Sequence, residues 1–304
     1  MLNQIKIGKS AVETTTLGLG TNKVGGHNLF EGLEDQDGYE VVRTALDSNI
    51  KLLDTAYAYG YGRSEEIIGD VIKDYDRSNI TIATKAAQDV NHDYKPNNNP
   101  EFLTQQIDHA LKRLKTDYID IFYIHFPDET TNKAEAIEAL VKARDVGKIK
   151  AIGVSNFSLE QIKEANADDV IDVVEDHYSL VHRDAEKELI PYLNEHNITF
   201  VPYFPLASGI LTGKYAKTDS GKFNQYSQAE FDRIIDAVEK VRGIAESKDA
   251  TVAQVVLAWY LKNPNLGVVI PGARKAEQVK SNVKATAIEL SDQEYRQIDA
   301  WFKF

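Results

Sequence analysis

Three short apolar runs each end in an ionisable residue: LLDTA carries Asp54, IATK ends at Lys85 and IFYIH ends at His125. A buried strand gains nothing from a charged end unless the charges meet, because an unpaired charge taken out of water is expensive. A carboxylate, an ammonium and an imidazole brought together can move a proton to or from a bound molecule. A lysine held in such a place could instead form a Schiff base with a carbonyl, the chemistry of a lyase or isomerase that needs no nicotinamide. Other chemistries are closed off. The chain has no cysteine, which removes disulfides, thiolate nucleophiles and Cys-ligated metals. His27, His92, His109, His177, His182 and His196 do not stand at metal-ligand spacing, so no metal is expected.

These residues can share a rim only if the elements carrying them run side by side in one direction. The chain alternates apolar runs with helical patterns. Candidate strands are Thr16–Leu19, Leu52–Ala56, Ile80–Lys85, Tyr118–His125, Ala151–Ser155, Val170–Val174, Thr199–Tyr203 and Gly267–Ile270. Between them, Tyr39–Asp47 places Val41, Val42, Ala45 and Leu46 at helical spacing, and Glu135–Arg144 runs to a stop at Gly147. Ser64 before EEIIG and Ser158 before LEQI read as N-caps followed by acidic first turns. Strands alternating with helices mean βαβ units and a parallel sheet. Eight such units in 304 residues suit a closed (β/α)8 TIM barrel, whose chemistry sits at the C-terminal ends of its strands. Residues 3–14 precede the first strand and read as an N-terminal β-hairpin closing the barrel bottom. Two extra helices, Phe231–Ser247 and Asp292–Phe302, exceed the eight-unit count. No internal boundary is visible, so residues 1–304 are expected to form a single domain. A doubly wound open sheet is the runner-up, but the glycine-rich dinucleotide turn is missing after the first strand.

Composition narrows the partners. With 35 Lys and Arg against 47 Asp and Glu, the net charge is −12, which argues against nucleic acid or an anionic membrane. An anionic ligand would therefore need a local basic patch. The N-terminal MLNQIKIGKS has no apolar core of a signal peptide, and no apolar run reaches membrane-spanning length. A cytoplasmic location is the default expectation.

LLDTAYAYGYGRSEEIIG, ATKAA, YIDIFYIHFPDE, IGVSNFS, YFPLASGILTGKY and IPGA together resemble the aldo-keto reductase family, in the family's order and nearest its bacterial general-stress branch. The resemblance runs from about Gly8 to Asn282 and implies an NADP(H)-dependent oxidoreductase acting on a small-molecule carbonyl. It places the family's catalytic tetrad on Asp54, Tyr59, Lys85 and His125. The residue types suit the reaction. Reducing a carbonyl needs hydride on carbon and a proton on oxygen, and a free tyrosine, with a pKa near 10, is a weak acid at neutral pH. The Lys85 ammonium would pull that pKa down toward the working range, Asp54 would hold Lys85, and His125 would orient the carbonyl. The nicotinamide supplies the hydride. A non-catalytic NADP-binding regulatory barrel is the alternative reading, because the family includes ion-channel subunits; the intact tetrad argues against it.

The resemblance also implies cofactor contacts. Thr21 lies in the first loop. Ser155 and Asn156 match the pair holding the carboxamide, and Tyr203 matches the ring stacked on the nicotinamide. Glu175 stands where the family usually has glutamine; it keeps the acceptor, loses the donor, and brings an anion near the cofactor. Phe204, Pro205, Leu206, Ser208, Leu211 and Lys214 would line the diphosphate, with residues 216–227 as a mobile lid. At the eighth strand end, Gly272 and Gln278 replace the lysine and arginine of the best-known branch. That leaves Arg274 and Lys275 for a 2′-phosphate and Asn282 for the adenine. In TNKVGG, Asn22 and Lys23 stand where many relatives place a large aromatic, giving a more polar wall to which Lys23 could attract an anionic substrate.

Overall fold

Strands buried on both faces decide this architecture, and they are visible in a computed structural model that describes residues 2–304. Gln4–Lys6 (β1) and Glu13–Thr15 (β2) pair as an antiparallel hairpin. The parallel staves then follow as Leu19–Gly20 (β3), Leu52–Asp54 (β4) and Thr81–Ala86 (β5). A small antiparallel ribbon, Gln88–Asp89 (β6) with Lys95–Pro96 (β7), interrupts them. Ile119–Ile124 (β8), Ile149–Ser155 (β9), Val173–His177 (β10) and Thr199–Tyr203 (β11) complete the run. The order β11-β10-β9-β8-β5-β4-β3 is parallel throughout.

The eighth stave closes the ring without forming a regular ladder. Gly267 N donates to Phe200 O at 2.8 Å, and isolated parallel bridges join Leu17 to Val269 and Gly20 to Gly272. The expected strand Gly267–Ile270 is thus in place, but Pro271 carries no N–H to extend it. A second difference lies at β10. The expected Val170–Val174 starts three residues later and runs on through Glu175 and Asp176 to His177. Glu175 is buried inside the barrel.

Helices cover the outside. Asp35–Asp47 (α1), Arg63–Ile72 (α2), Pro100–Leu114 (α3), Lys133–Asp145 (α4), Leu159–Ala165 (α5) and Leu189–Glu195 (α6) alternate with the strands. Gln228–Ser247 (α7) is one extra helix, Val252–Lys262 (α8) and Ala276–Lys284 (α9) complete the outer ring, and Asp292–Trp301 (α10) is the other extra helix. Ser158 caps α5 with the reciprocal Gln161 bond of a capping box, an arrangement worth about 1 kcal/mol. Ser64 does not cap α2: that helix starts at Arg63 after left-handed Gly62, and the Ser64 hydroxyl is buried against Thr55 and Thr21. Gly147, at φ +82°, takes the left-handed turn after α4.

Two cores result. One fills the layer between strands and helices. The other fills the barrel itself, where Leu52, Ala83, Ile121, Tyr123, Ala151, Val173, Val201, Val268 and Ile270 meet Ile7 and Val12 from the β1–β2 turn. The hairpin therefore plugs the bottom, as its position predicts. Gly153 is obligatory in this layer, because a Cβ there would sit 2.4 Å from the Tyr123 ring. Among the described residues no helix is long and apolar enough to cross a membrane.

Candidate active site

Strand side chains alternate in direction, so the positions two residues beyond each inner-core residue also point inward. Applied to the staves, that step leads from Leu52 to Asp54, Ala83 to Lys85, Tyr123 to His125, Val173 to Glu175, Val201 to Tyr203, and Gly153 to Ser155. The upper end of the barrel interior is therefore lined by the residues the sequence singled out.

Asp54, Lys85, His125 and Glu175 are 1%, 1%, 7% and 2% exposed. Lys85 Nζ donates to Asp54 Oδ1 and, at 3.1 Å, to the Thr55 carbonyl. Its third neighbour is Glu175 Oε2, 3.2 Å away. The sequence reading gave Glu175 only a cofactor contact, so the clamp of Lys85 by two carboxylates is a new feature. The inward parity of Val173 would have indicated it. Burial alone would favour the neutral amine, but Asp54 and Glu175 outweigh it and raise the Lys85 pKa. Lys85 is an ammonium, and this speaks against the Schiff-base reading.

The half-buried Tyr59 follows β4 on the YAYGYG loop. Its ring centroid lies 5.6 Å from Lys85 Nζ and 6.2 Å from the His125 ring, which meets it edge-on at 85°. Lys85 does pull the phenol pKa down, yet burial, first, and then Asp54 and Glu175 outweigh it, so the balance lies above the ordinary value. Tyr59 is held as a neutral phenol. An alkoxide is a much stronger base than a phenolate, so this phenol can still protonate an oxygen that gains charge during reaction. Burial, followed by Lys85, drives the His125 pKa well down, leaving a neutral imidazole with a buried, unpartnered Nδ1.

Beside this cluster, Asn156 (φ +61°) donates from Nδ2 to His125 O at 3.0 Å and to Ser155 Oγ at 3.0 Å. Tyr203 OH donates to Asn156 Oδ1 at 2.8 Å. His177 covers one face of Tyr203 in parallel, 5.4 Å between centroids, and His182 stacks on His177 at 3.9 Å. The two histidines thus pair as aromatic rings. One face of Tyr203 remains for a flat ligand ring, and the Ser155 hydroxyl proton and Glu175 remain for a carboxamide.

The segment after β11 concentrates backbone strain, with Phe204, Ala207, Ser208 and Gly209 all at positive φ, a costly conformation for the non-glycine members. Leu206 and Leu211 pack into it, and the Pro205 carbonyl accepts from Tyr260 OH at 2.8 Å. Across the rim, burial first and then Lys214 and Arg274 depress the Lys23 pKa. Lys23 therefore lies within the field of two further cations. None of the three forms an ion pair with a carboxylate among the described residues. Arg274 Nη2 holds the Glu31 carbonyl at 2.8 Å and also that of Gly32. Lys275 is paired with Asp37 at 2.6 Å. Gln278 Oε1 accepts from the backbone N–H of Arg274 and Lys275 at 2.7 and 3.1 Å, shaping the start of α9 beside Gly272, and Asn282 lies half-buried on the same helix. The Thr21 hydroxyl donates to the Asp54 carbonyl and accepts from Ser64, so this side chain supports the site from within the fold. Residues 216–227 are anchored at buried Phe223, packed edge-on to Tyr215 and against Phe231.

Comparison with known proteins gives the same arrangement a family. Residues 16–302 match the model of the aldo/keto reductase family. Aldo-keto reductase YhdN of Bacillus subtilis is 33% identical over 303 residues, 96% of this chain and 91% of the relative. The NADH-specific methylglyoxal reductase of Escherichia coli is 30% identical, with 96% and 95% covered. Among solved structures, glycerol dehydrogenase AKR11B4 from Gluconobacter oxydans superposes with a TM-score of 0.86 at 29% identity, covering 98% and 94% of the two chains. An aldo-keto reductase from Klebsiella pneumoniae in complex with NADPH gives 0.79 at 26% identity, covering 99% and 95%. With a buried Lys85–Asp54 pair, a phenol and a neutral imidazole on the rim of a (β/α)8 barrel, this chain belongs to the aldo/keto reductase family and is an oxidoreductase that works with a nicotinamide cofactor.

Proposed function

We propose that the protein reduces aldehyde or ketone carbonyls to alcohols with NADPH, using Tyr59 as the proton donor. The observation that carries this reading is the buried Lys85 ammonium, held by Asp54 and set beside the Tyr59 ring and the neutral His125. The residues present fit the cofactor. Lys23, Lys214 and Arg274 offer positive charge without a competing carboxylate, Tyr203 offers a ring face, and Ser155 offers a free hydroxyl proton. When bound, the nicotinamide supplies the hydride. The chain's own groups do the rest. His125 orients the carbonyl oxygen, Tyr59 O–H delivers its proton to that oxygen as charge develops there, and Lys85 stabilises the phenolate left behind. NADPH bound to the Klebsiella pneumoniae neighbour supports the phosphorylated cofactor, while the NADH-specific Escherichia coli relative marks the competing choice.

The test is to follow NADPH absorbance with a panel of aldehydes, ketones and sugars, using the wild type and Tyr59→Phe. Turnover should fall by about two to four orders of magnitude in the variant, with cofactor affinity within a few-fold, because only an interaction made in the transition state is lost. Near-normal turnover of Tyr59→Phe would remove it as the donor. Cofactor binding without turnover on any carbonyl would favour a regulatory barrel.

A further inference from the structure

We propose that Glu175 makes the site discriminate between the two redox forms of the nicotinamide, its ionised side chain favouring the oxidised, positively charged ring. The inference rests on the reading that the nicotinamide binds beside Ser155 and Tyr203. Glu175 lies between them in the sheet: it is in register with Ser155 of β9 on one side, and its strand carries the His177–Tyr203 pairing on the other.

The geometry leaves this side chain in an unusual position. One ammonium serves two buried carboxylates, and it lies nearer Asp54 than Glu175. Asp54 Oδ2 is buried without a hydrogen-bond partner, and Glu175 Oε2 has only the Lys85 ammonium beside it at 3.2 Å, outside hydrogen-bond geometry, a condition costly enough to require an account. A glutamine here would offer an amide N–H. A glutamate can offer a donor only by carrying a proton, and it then behaves as a neutral hydrogen-bonding group. When ionised it becomes a second negative charge. The charged and titratable groups facing it are Asp54 from β4, Lys85 from β5, Tyr123 from β8, Tyr203 from β11 and Tyr59 from the loop after β4. Burial and Asp54 push its proton affinity well above that of an ordinary carboxyl group, against the opposing pull of Lys85.

The oxidised ring carries a positive charge and the reduced ring carries none. A full charge a few ångströms from a carboxylate, at an effective interior dielectric of about 20, is worth more than tenfold in binding. The oxidised cofactor should therefore displace the proton of Glu175 into solvent, and the reduced cofactor should leave it in place. The ionised protein then holds NADP+ more tightly relative to NADPH than the protonated protein does.

Binding of NADP+ and NADPH should be measured separately across about pH 6–9, by quenching of Trp259 and Trp301 fluorescence and by calorimetry in two buffers of different ionisation enthalpy. The 2′-phosphate titrates near pH 6 in both forms, so it cancels in their ratio. The preference for NADP+ should grow about tenfold or more with rising pH, and up to one proton should be released with NADP+ alone. Glu175→Gln should give a ratio that does not change with pH and no proton release. A wild-type ratio constant across pH, or an unchanged slope in Glu175→Gln, overturns the proposal while leaving the cofactor assignment intact. Failure to bind either cofactor overturns both.

Discussion

The two ends of the barrel interior are made by the same strands and the same side-chain parity, yet they do opposite things. At the bottom, Ile7 and Val12 of the hairpin meet Leu52, Ala83, Ile121, Val173, Val201 and Val268. One inward step higher, roughly 7 Å along a strand, stand Asp54, Lys85, Glu175 and Tyr203, with His125 two steps above Ile121. The lower layer is buried, and so are Asp54, Lys85, His125 and Glu175 in the upper one. The lower one stabilises the fold by removing apolar surface from water, about 25 cal/mol per Å². The upper one costs desolvation energy that its ion pairs offset only in part. What makes the upper layer tolerable is the Lys85 ammonium, which pairs with Asp54 of the adjacent strand and with Glu175 from across the barrel. The lesson is that the chemistry depends on an otherwise unfavourable layer, held in place by the favourable one beneath it.

Substitutions at the top should damage activity and titration, and those at the bottom stability alone. The largest effect is expected for Lys85→Met. It leaves Asp54 and Glu175 buried without their cation, a loss of about 3–5 kcal/mol in stability, and it should abolish most turnover. Since Lys85 is the group that lowers the Tyr59 pKa, the limb of the pH–rate profile assigned to Tyr59 should move to higher pH. An unmoved limb would make His125 the leading donor.

Ile7→Ala comes next, at about 2–5 kcal/mol of lost stability by denaturant melt. At temperatures where the protein stays folded, KM and kcat should hold, and a change in either would break the separation of the two layers. Asp54→Asn should lower turnover about ten- to a hundredfold through looser placement of Lys85. Asp54 raises the Tyr59 pKa, so the limb should shift opposite to that of Lys85→Met, toward lower pH.

Removing both charges at Arg274 and Lys275 should weaken NADPH relative to NADH by about tenfold to a hundredfold, the range of charge-assisted contacts worth about 1.5–3 kcal/mol. Equal losses would mean that the pair serves only to hold Glu31, Gly32 and Asp37. The smallest effect concerns Asp128, which ties the loop after β8 to Asn98. Burial raises its pKa, but hydrogen bonds from Thr131, Asn98 and Lys133 prevail and hold it at about 2. The depressed value means that its contribution is complete above the unfolded value near 4 and disappears as pH falls toward 2. With partial solvent access, that contribution is roughly 1–2 kcal/mol. Asp128→Asn should flatten this part of the acid-unfolding curve.

Local spacing was enough to determine much of this protein. Apolar runs alternating with helical periodicity specified the barrel, its bottom hairpin and its two extra helices. Ionisable residues at three run ends marked one rim, and the motif resemblance placed Tyr59, Ser155, Asn156 and Tyr203 around it. These features are legible because alternation and capping are set by residues two to four apart. Only the tertiary structure decided that β10 runs through Glu175, that Lys85 lies between two carboxylates, and that Lys23 joins Lys214 and Arg274. It also reversed the net direction expected for Tyr59. Proton affinity in a buried site depends on solvent exclusion and on charges from strands far apart in sequence, and neither can be read from the neighbours of a residue along the chain.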